Sequence, residues 1–412
     1  MAGSFSKNLR QSDQTGKIHL AGLVGDGSFR YEAHSLSDHY AFTDTFTGEI
    51  VALMGPSGSG KTTLLNTLAQ RQTATIRGQI NVNGVDQPLS VHRDISAFVE
   101  QEDTLIGSLT VHETLEFSAK LALPRTVTSS DVRARIQQLT RSFGLQNQTH
   151  TLIGTPLQKG LSGGQKRRVS VATSLITSPK ILYLDEPTSG LDSTASYEVV
   201  SFLREFAQRN KVLMIASIHQ PSTKTFELFD RVYVLSQGKP CYYGSITELP
   251  PFFASLGLPV PPMTNPAEHI LDITNVDFTA ESGEGQSRLD RITSAWELSG
   301  QAARLEAAIK EEPGLLSHNR NPTLSNTARL KPSTARQVLT LLHRSSIKSY
   351  RDLTAYWIRV AMYMGLSIMM GTVWLRLSAD QDHIQPFINA IVSVDSIPHP
   401  IPIPSNRAPP KN

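Results

Sequence analysis

A glycine-rich stretch near residue 55 fits the pattern GxxxxGK[ST], which is typical of loops that bind phosphate. The apolar run 50–54 predicts a strand before it, and leucines at helical spacing predict a helix after it, over about residues 60–71. In that context, Lys61 would place its charge on the phosphates and the Thr62 hydroxyl would ligate Mg²⁺. A chance glycine loop is the alternative, and the flanking elements disfavour it. The residues predicted to bind nucleotide here are Gly55, Pro56, Ser57, Gly58, Ser59, Gly60, Lys61, Thr62 and Thr63.

Two carboxylates, Asp185 and Glu186, follow the apolar run 181–184, which predicts a buried strand. Acids at the carboxyl edge of a parallel sheet face the crevice in which nucleotides bind. We expect Asp185 to hold Mg²⁺ through water and Glu186 to polarise the attacking water as general base. The alternative is a pair of solvated loop acids.

Two further polar residues occupy positions that favour function. Gln101 follows the alternating stretch 95–99, and it is predicted to touch Mg²⁺ and the attacking water. His219 follows the apolar run 212–218, where an imidazole can contact the γ-phosphate. In isolation, Gln101 would be interpreted as a surface residue and His219 as a structural one. The position of Gln101 relative to the glycine loop, and that of His219 relative to Glu186, favour a functional role for both. Three other histidines have no such placement and are predicted to lie at the surface: His92, His112 and His150.

The segment Leu161-Ser162-Gly163-Gly164-Gln165 predicts a second anion site. Ser162 can cap a helix, and two glycines at a helix start expose backbone N–H groups to an anion. The chain already has one phosphate loop, so a second site about a hundred residues later would serve the γ-phosphate of a partner's ATP. An ordinary capped helix start is the alternative.

Taken in order, these motifs resemble the ATP-binding cassette (ABC) family over about residues 48–278. The resemblance makes 55–62 the Walker A motif, Gln101 the Q-loop residue and 161–165 the signature. It makes 181–185 the Walker B motif, followed by the base Glu186. It places Asp192 in the D-loop near nucleotide and makes His219 the switch. Finer features are similar to the G subfamily, in which the nucleotide domain precedes the membrane domain; they lie at 159–170, 185–194, 217–222, 265–268 and 271–272.

The resemblance implies an α/β fold: a RecA-like P-loop ATPase core with an antiparallel β-subdomain and a helical subdomain, followed by one transmembrane helix. It also implies that two cassettes, in a homodimer or heterodimer, sandwich two ATP molecules with Mg²⁺. ATP binding would close the dimer, and hydrolysis would reopen it to drive transport of an unidentified small molecule across a membrane. The aromatic residue that stacks on adenine is not assigned, although Tyr31 and Tyr40 are candidates.

Two alternative functions stay open at this point. The first is a soluble ABC ATPase that remodels nucleic acid or ribosomes. The second is a truncated partner that dimerises with full-length transporters and inhibits them. The formal net charge of +3 does not suggest a nucleic-acid partner, and none is predicted. The single cysteine, Cys241, excludes a disulfide framework, and no apolar run marks a secretory signal at the N-terminus.

The run 360–375 carries no charge and is bounded by Arg359 and Arg376, so it is predicted to span the membrane with the nucleotide domain in the cytosol. The proline-rich stretch 397–412 leads us to expect a truncated product or a gene-model artefact. The predicted domains are 1–47, of uncertain structure; 48–278, nucleotide-binding; 279–337, a linker; 338–377, an amphipathic helix and the first span; and 378–412, a disordered tail.

Overall fold

The computed structural model describes residues 20–22, 40–42, 48–71, 80–82, 85–86, 88–124, 126–155, 158–276, 284–311, 332–351 and 353–373. The chain forms two compact units, 1–345 and 346–412. Most of the predicted N-terminal segment, including Tyr31, lies outside the described residues, as does the tail 378–412.

The described strands and helices alternate through most of the first unit. The strands are β1 (Leu20–Gly22), β2 (Tyr40–Phe42), β3 (Ile50–Met54), β4 (Ile80–Val82), β5 (Val85–Asp86), β6 (Ser96–Val99), β7 (Ile181–Leu184), β8 (Leu213–Ser217), β9 (Arg231–Ser236) and β10 (Lys239–Ser245). The helices up to the last sheet strand are α1 (Lys61–Leu68), α2 (Leu89–Ile95), α3 (Val111–Ala122), α4 (Ser129–Ser142), α5 (Gly163–Leu175), α6 (Ser193–Asn210) and α7 (Thr223–Phe226). The later helices are α8 (Leu249–Ser255), α9 (Pro266–Thr274), α10 (Glu284–Glu297), α11 (Gly300–Glu311), α12 (Thr334–Arg351) and α13 (Leu353–Val373).

A six-stranded sheet, in the order β10-β9-β3-β8-β7-β6, forms the centre of the first unit. The pairs from β9 to β6 are parallel, and β10 closes the sheet antiparallel to β9. Every residue of β3, β7 and β8 is buried, as expected for central strands with helices on both faces. The predicted α/β fold is therefore confirmed, including the hairpin of β9 and β10.

A second, antiparallel sheet has the order β2-β1-β4-β5. Two of its strands come from the N-terminal segment: β1 pairs with β4, for example through Leu20 opposite Val82, and β2 pairs with the other side of β1. β4 and β5 pair antiparallel, and the Asn-Gly pair at 83–84, which predicts a hairpin turn, lies outside the described residues. The backbone of Tyr40 begins β2, and its role beside adenine stays a prediction.

Side-chain caps fix the residues at which α4 and α5 begin. Ser162 caps α5 as predicted. For α4 the sequence predicts Ser129 or Ser130 as the cap, since serine is a favoured cap residue, and this prediction is wrong because the cap is Thr128. Thr128 accepts a hydrogen bond from the N–H of Asp131, whose carboxylate accepts one from the N–H of Thr128. That reciprocal pair forms a capping box and draws both serines into the first helical turn.

The predicted linker contains folded helices. The sequence predicts one helical stretch within it, over 296–310, but the structure has two helices, α10 and α11, with a break around Ser299. Trp296, near the end of α10, is buried with its ring 5.4 Å from that of Tyr242 and 5.9 Å from that of Phe252. The aromatic cluster therefore fixes α10 against β10.

In the predicted segment 338–377, the structure describes α12 up to Arg351 and α13 from Leu353. Among the described residues, no helix combines the length and the apolar character that a membrane crossing requires. Arg359 lies within α13. The predicted transmembrane helix at 360–375 is therefore not confirmed.

Candidate functional site

The carboxyl ends of four parallel strands gather the predicted site residues at one edge of the sheet. β3 leads into the glycine loop, and β7 leads into Asp185 and Glu186. β8 is followed by Ile218 and His219, and β6 is followed after one residue by Gln101. Residues far apart in sequence therefore meet because parallel strands end on the same side.

The glycine loop is tightly fitted against β9. A Cβ atom at Gly55 would collide with the carbonyl oxygen of Leu235 and lie 2.6 Å from Ser59 Oγ, so only glycine fits. Gly60 precedes α1 with φ +100°, in the left-handed region that glycine adopts freely. Lys61, the first residue of α1, folds back, and its Nζ donates to the carbonyl oxygens of Gly55 and Pro56, each at 2.8 Å.

The loop carries donors that suit a triphosphate. The Ser59 hydroxyl is buried without a hydrogen-bond partner, and the Lys61 ammonium has only backbone carbonyls as close acceptors in the described residues. Burial lowers the pKa of Lys61, while the charges of Glu186 and Asp185 act in the opposite direction. Anionic oxygens in this loop would satisfy both donors, so the residues present fit a phosphate ligand.

The two predicted Mg²⁺ ligands beside the loop are adjacent. The Thr62 hydroxyl donates to Asp185 Oδ1 at 3.2 Å, and the Ser217 hydroxyl donates to the same oxygen at 2.7 Å. Among the described residues, no group of three His, Cys, Asp or Glu could hold a metal by itself. One carboxylate with a hydroxyl suits Mg²⁺, which usually takes its remaining ligands from phosphates and water.

Glu186 lies at the same carboxyl edge of the sheet and is held by two hydrogen bonds. Its N–H donates to Ser217 Oγ at 2.8 Å, and its Oε2 accepts a hydrogen bond from Gln101 Nε2 at 2.7 Å. A further hydrogen bond joins Ser57 Oγ and His219 Nε2 at 3.2 Å, so the predicted switch contacts the glycine loop. The structure thus brings together the predicted base, Q-loop residue and switch.

The signature residues form a different part of the molecule. Ser162 and Gln165 make a reciprocal capping box, with N–H to oxygen distances of 3.0 and 3.3 Å. A Cβ at Gly163 would lie 3.2 Å from Leu191, so the start of α5 lies close to the D-loop. Asp192 caps α6 by accepting a hydrogen bond from the N–H of Ala195 at 2.7 Å. A role of Asp192 at nucleotide stays a prediction.

Two residues have environments that the sequence did not reveal. Ser217 forms hydrogen bonds with the N–H of Glu186 and the carboxylate of Asp185. In the sequence, the only signal for this role is a hydroxyl residue in an otherwise apolar strand, two residues before His219. The prediction that His92 lies at the surface was wrong: its ring is fully buried, 6.3 Å from that of Tyr183. Burial lowers the pKa of His92. His150 is exposed and His112 half-buried.

Comparisons with known proteins identify the family of this chain. A family model described as ABC transporter matches residues 43–189, and one described as ABC-2 type transporter matches residues 219–303. The chain belongs to the ABC transporter family. Within it, the relatives of this ABC protein are G family members, which agrees with a nucleotide domain placed before a membrane domain.

Three G family relatives illustrate the similarity. This ABC chain is 37% identical to ABC transporter G family member 11 of Arabidopsis thaliana, over 93% of its own length and 55% of the relative's. It is 38% identical to G family member 1 of Petunia hybrida, and the match covers 82% of this chain and 53% of the relative. It is 44% identical to G family member 5 of Oryza sativa subsp. japonica, and the match covers 61% of this chain and 32% of the relative. The chain therefore spans about half the length of the first two relatives, and its match to the rice protein covers a smaller share.

Among solved structures, cbiO1 of Clostridium perfringens, part of the ABC transporter complex cbiONQ, is 24% identical with a TM-score of 0.48. The similarity covers 57% of this chain and 90% of that one.

Proposed function

We propose that this chain is the ATP-binding and ATP-hydrolysing part of a G-type ABC transporter. One observation carries the proposal: the Glu186 carboxylate, held by Gln101 at 2.7 Å, lies at the same sheet edge as the phosphate loop with Lys61 and Thr62. A carboxylate beside a phosphate loop is placed to accept a proton from water that attacks the γ-phosphate.

Each residue has a role in that reaction. Lys61 and the loop N–H groups bind the phosphates, and Thr62 and Asp185 hold Mg²⁺, which when bound supplies positive charge to the phosphate oxygens. Gln101 orients Glu186 and the attacking water. His219, hydrogen-bonded to Ser57, contacts the γ-phosphate from the adjacent strand end.

The exposed start of α5 supports a site that is completed by a second cassette. Ser162 and Gly163 are exposed, and the helix N-terminus that they form attracts anions. We propose that Ser162, Gly163, Gly164 and Gln165 bind the γ-phosphate of ATP on a partner chain, with Asp192 beside them. Closure of two such cassettes on ATP would then be reversed by hydrolysis.

Membrane location and transport are proposed from the family. The G family relatives are named transporters, so we propose that this cassette lies in the cytosol at a membrane. There it would couple ATP hydrolysis to transport of a small molecule, whose chemical class we leave unassigned.

The proposed base is tested by Glu186→Gln, which keeps the shape and removes the charge. We expect ATP binding to persist and steady-state hydrolysis to fall about a hundredfold or more. The matched control is Glu102→Gln, the same change in an exposed residue next to Gln101, with hydrolysis unchanged. Unimpaired turnover in Glu186→Gln would contradict the assignment.

A further inference from the structure

Arg167, in the second turn of α5, lies in the interior between the Q-loop and the end of β7. Its side chain is 4% exposed. On the Q-loop side, Nη1 donates to the carbonyl oxygens of Glu100 at 2.6 Å and Gln101 at 3.2 Å, and to Asp103 Oδ1 at 3.0 Å. One guanidinium nitrogen therefore holds the backbone on which Gln101 is carried.

The other nitrogens of the same guanidinium hold the backbone around Glu186. Nη2 donates to the carbonyl oxygen of Asp185 at 2.8 Å, and Nε donates to that of Pro187 at 3.2 Å. These carbonyls belong to the residues immediately before and after Glu186. The rigid, planar guanidinium of Arg167 thus fixes the backbone on both sides of Glu186 and the backbone of Gln101, which is hydrogen-bonded to Glu186.

This arrangement explains how Glu186 keeps an unusual backbone conformation. Its φ is +42°, in the left-handed region that non-glycine residues rarely adopt. Such a conformation persists only where the surroundings over-determine it. Ser217 holds the N–H of Glu186, and Arg167 holds the carbonyls on either side. Asp103, itself partly buried, supplies the countercharge that a buried guanidinium requires.

We propose that Arg167 is a positioning residue for ATP hydrolysis, which sets the separation of Gln101 and Glu186 by holding both of their backbones with one guanidinium. The inference rests on the proposed function, because it concerns the same reaction. Arg167 itself contacts neither nucleotide nor the attacking water; it acts through the two residues that do.

The first test is Arg167→Lys in the full chain. Lysine keeps the charge, but its single ammonium cannot reach carbonyls on both sides of Glu186 and on the Q-loop at once. We expect kcat for ATP hydrolysis to fall about tenfold or more, with KM for ATP within about twofold of the wild-type value. Thermal unfolding of the same samples reports the folded fraction.

Arg168→Lys is the matched control, one residue further along α5. Arg168 is also buried, but its hydrogen bonds go to the carbonyl oxygens of Gly164 at 3.4 Å and Phe143 at 3.2 Å, and its guanidinium lies 4.8 Å from the Phe202 ring. None of these groups flanks Glu186. We expect this variant to lose stability while kcat per folded molecule stays within about twofold.

A double-mutant cycle separates positioning from general structural support. If Arg167 acts through Gln101, the loss in Arg167→Lys combined with Gln101→Ala is smaller than the product of the two single losses. Multiplicative losses, an unchanged kcat in Arg167→Lys, or equal slowing by Arg168→Lys would each overturn the inference.

If Arg167→Lys does not fold, Asp103→Ala decides. It removes the only carboxylate partner of the guanidinium in the described residues, and it is expected to lower kcat with KM unchanged. An unchanged kcat in that variant overturns the inference. A wild-type chain without ATP hydrolysis contradicts the proposed function instead, so the two failures are distinguishable.

Discussion

The two acids of the site are oriented by one hydroxyl. Ser217 Oγ accepts the N–H of Glu186 at 2.8 Å and donates to Asp185 Oδ1 at 2.7 Å, and the side chain is fully buried. The carboxylate of Asp185 and the backbone of Glu186 therefore depend on a residue that has no chemical role of its own. Orientation of a base within a fraction of an ångström matters because misplacement lowers rates steeply.

Ser217→Ala tests that dependence. It leaves the N–H of Glu186 unsatisfied, so we expect a loss of about 1–3 kcal/mol in the free energy of unfolding and a fall in kcat. The control is Ser236→Ala, a buried strand serine whose hydroxyl donates to the carbonyl oxygen of Thr274 at 2.7 Å. It should lose similar stability, by urea unfolding, and keep its kcat. Equal kcat in both variants would refute the role of Ser217.

His92 makes stability depend on pH. Burial lowers the pKa of His92 below its ordinary value of 6.5, so the unfolded chain binds a proton more readily than the folded chain. The contribution of the neutral ring is complete above pH 6.5 and is lost as pH falls below it. Urea unfolding at pH 7 and pH 5 should show a smaller difference in stability for His92→Leu than for the wild type. An identical difference would contradict the burial of a neutral ring.

At the scale of elements, the glycine loop is the most constrained connection in the site. Gly55→Ala would force a Cβ into the carbonyl oxygen of Leu235, which belongs to the backbone of β9 and cannot rotate away. We expect loss of ATP binding and of several kcal/mol of stability. Gly257→Ala is the control, since Gly257 has φ +74° but no atom near its Cβ position. It should cost about 1–2 kcal/mol and leave ATP binding intact, as measured by titration with a fluorescent ATP analogue.

The central strands and the site motifs could be predicted because their signals are local. Apolar runs of four or five residues, a glycine loop and acids at strand ends specify β3, β7 and β8 together with the site residues at their carboxyl ends. The residue pattern could not predict β1 and β2, because three-residue strands carry too little periodicity and β1 pairs with β4, which lies far along the chain. The capping box at Thr128 was missed because several neighbouring residues can cap.

The interior polar groups were missed for a different reason. Arginine is mostly exposed in proteins and histidine is intermediate, so a pattern of residue types does not indicate that Arg167 or His92 is buried. Their burial depends on how α5 and α2 pack on the sheet, which is a property of the tertiary structure.

At the scale of the whole molecule, the proposed transporter works only if two chains share each ATP. The phosphate loop lies at the sheet edge, whereas the signature lies at the start of α5 beside the D-loop. In a symmetric pair, each chain would give its loop to one nucleotide and its signature to the other. That sharing distinguishes a cassette dimer from an ATPase that acts as a single chain.

Complementation between two inactive variants tests this sharing most directly. Lys61→Ala removes the phosphate-binding charge. Gly163→Asp puts a negative charge at the start of α5, where the helix tolerates it and a phosphate does not. Each variant alone should hydrolyse ATP very slowly, and melting curves should show that both fold.

An equimolar mixture forms mixed pairs in about half of its dimers, and each mixed pair has one site with an intact loop and an intact signature. A shared site therefore predicts that the mixture recovers about a quarter of the wild-type rate of ATP hydrolysis. A mixture no faster than the average of the two separate variants would contradict the shared site.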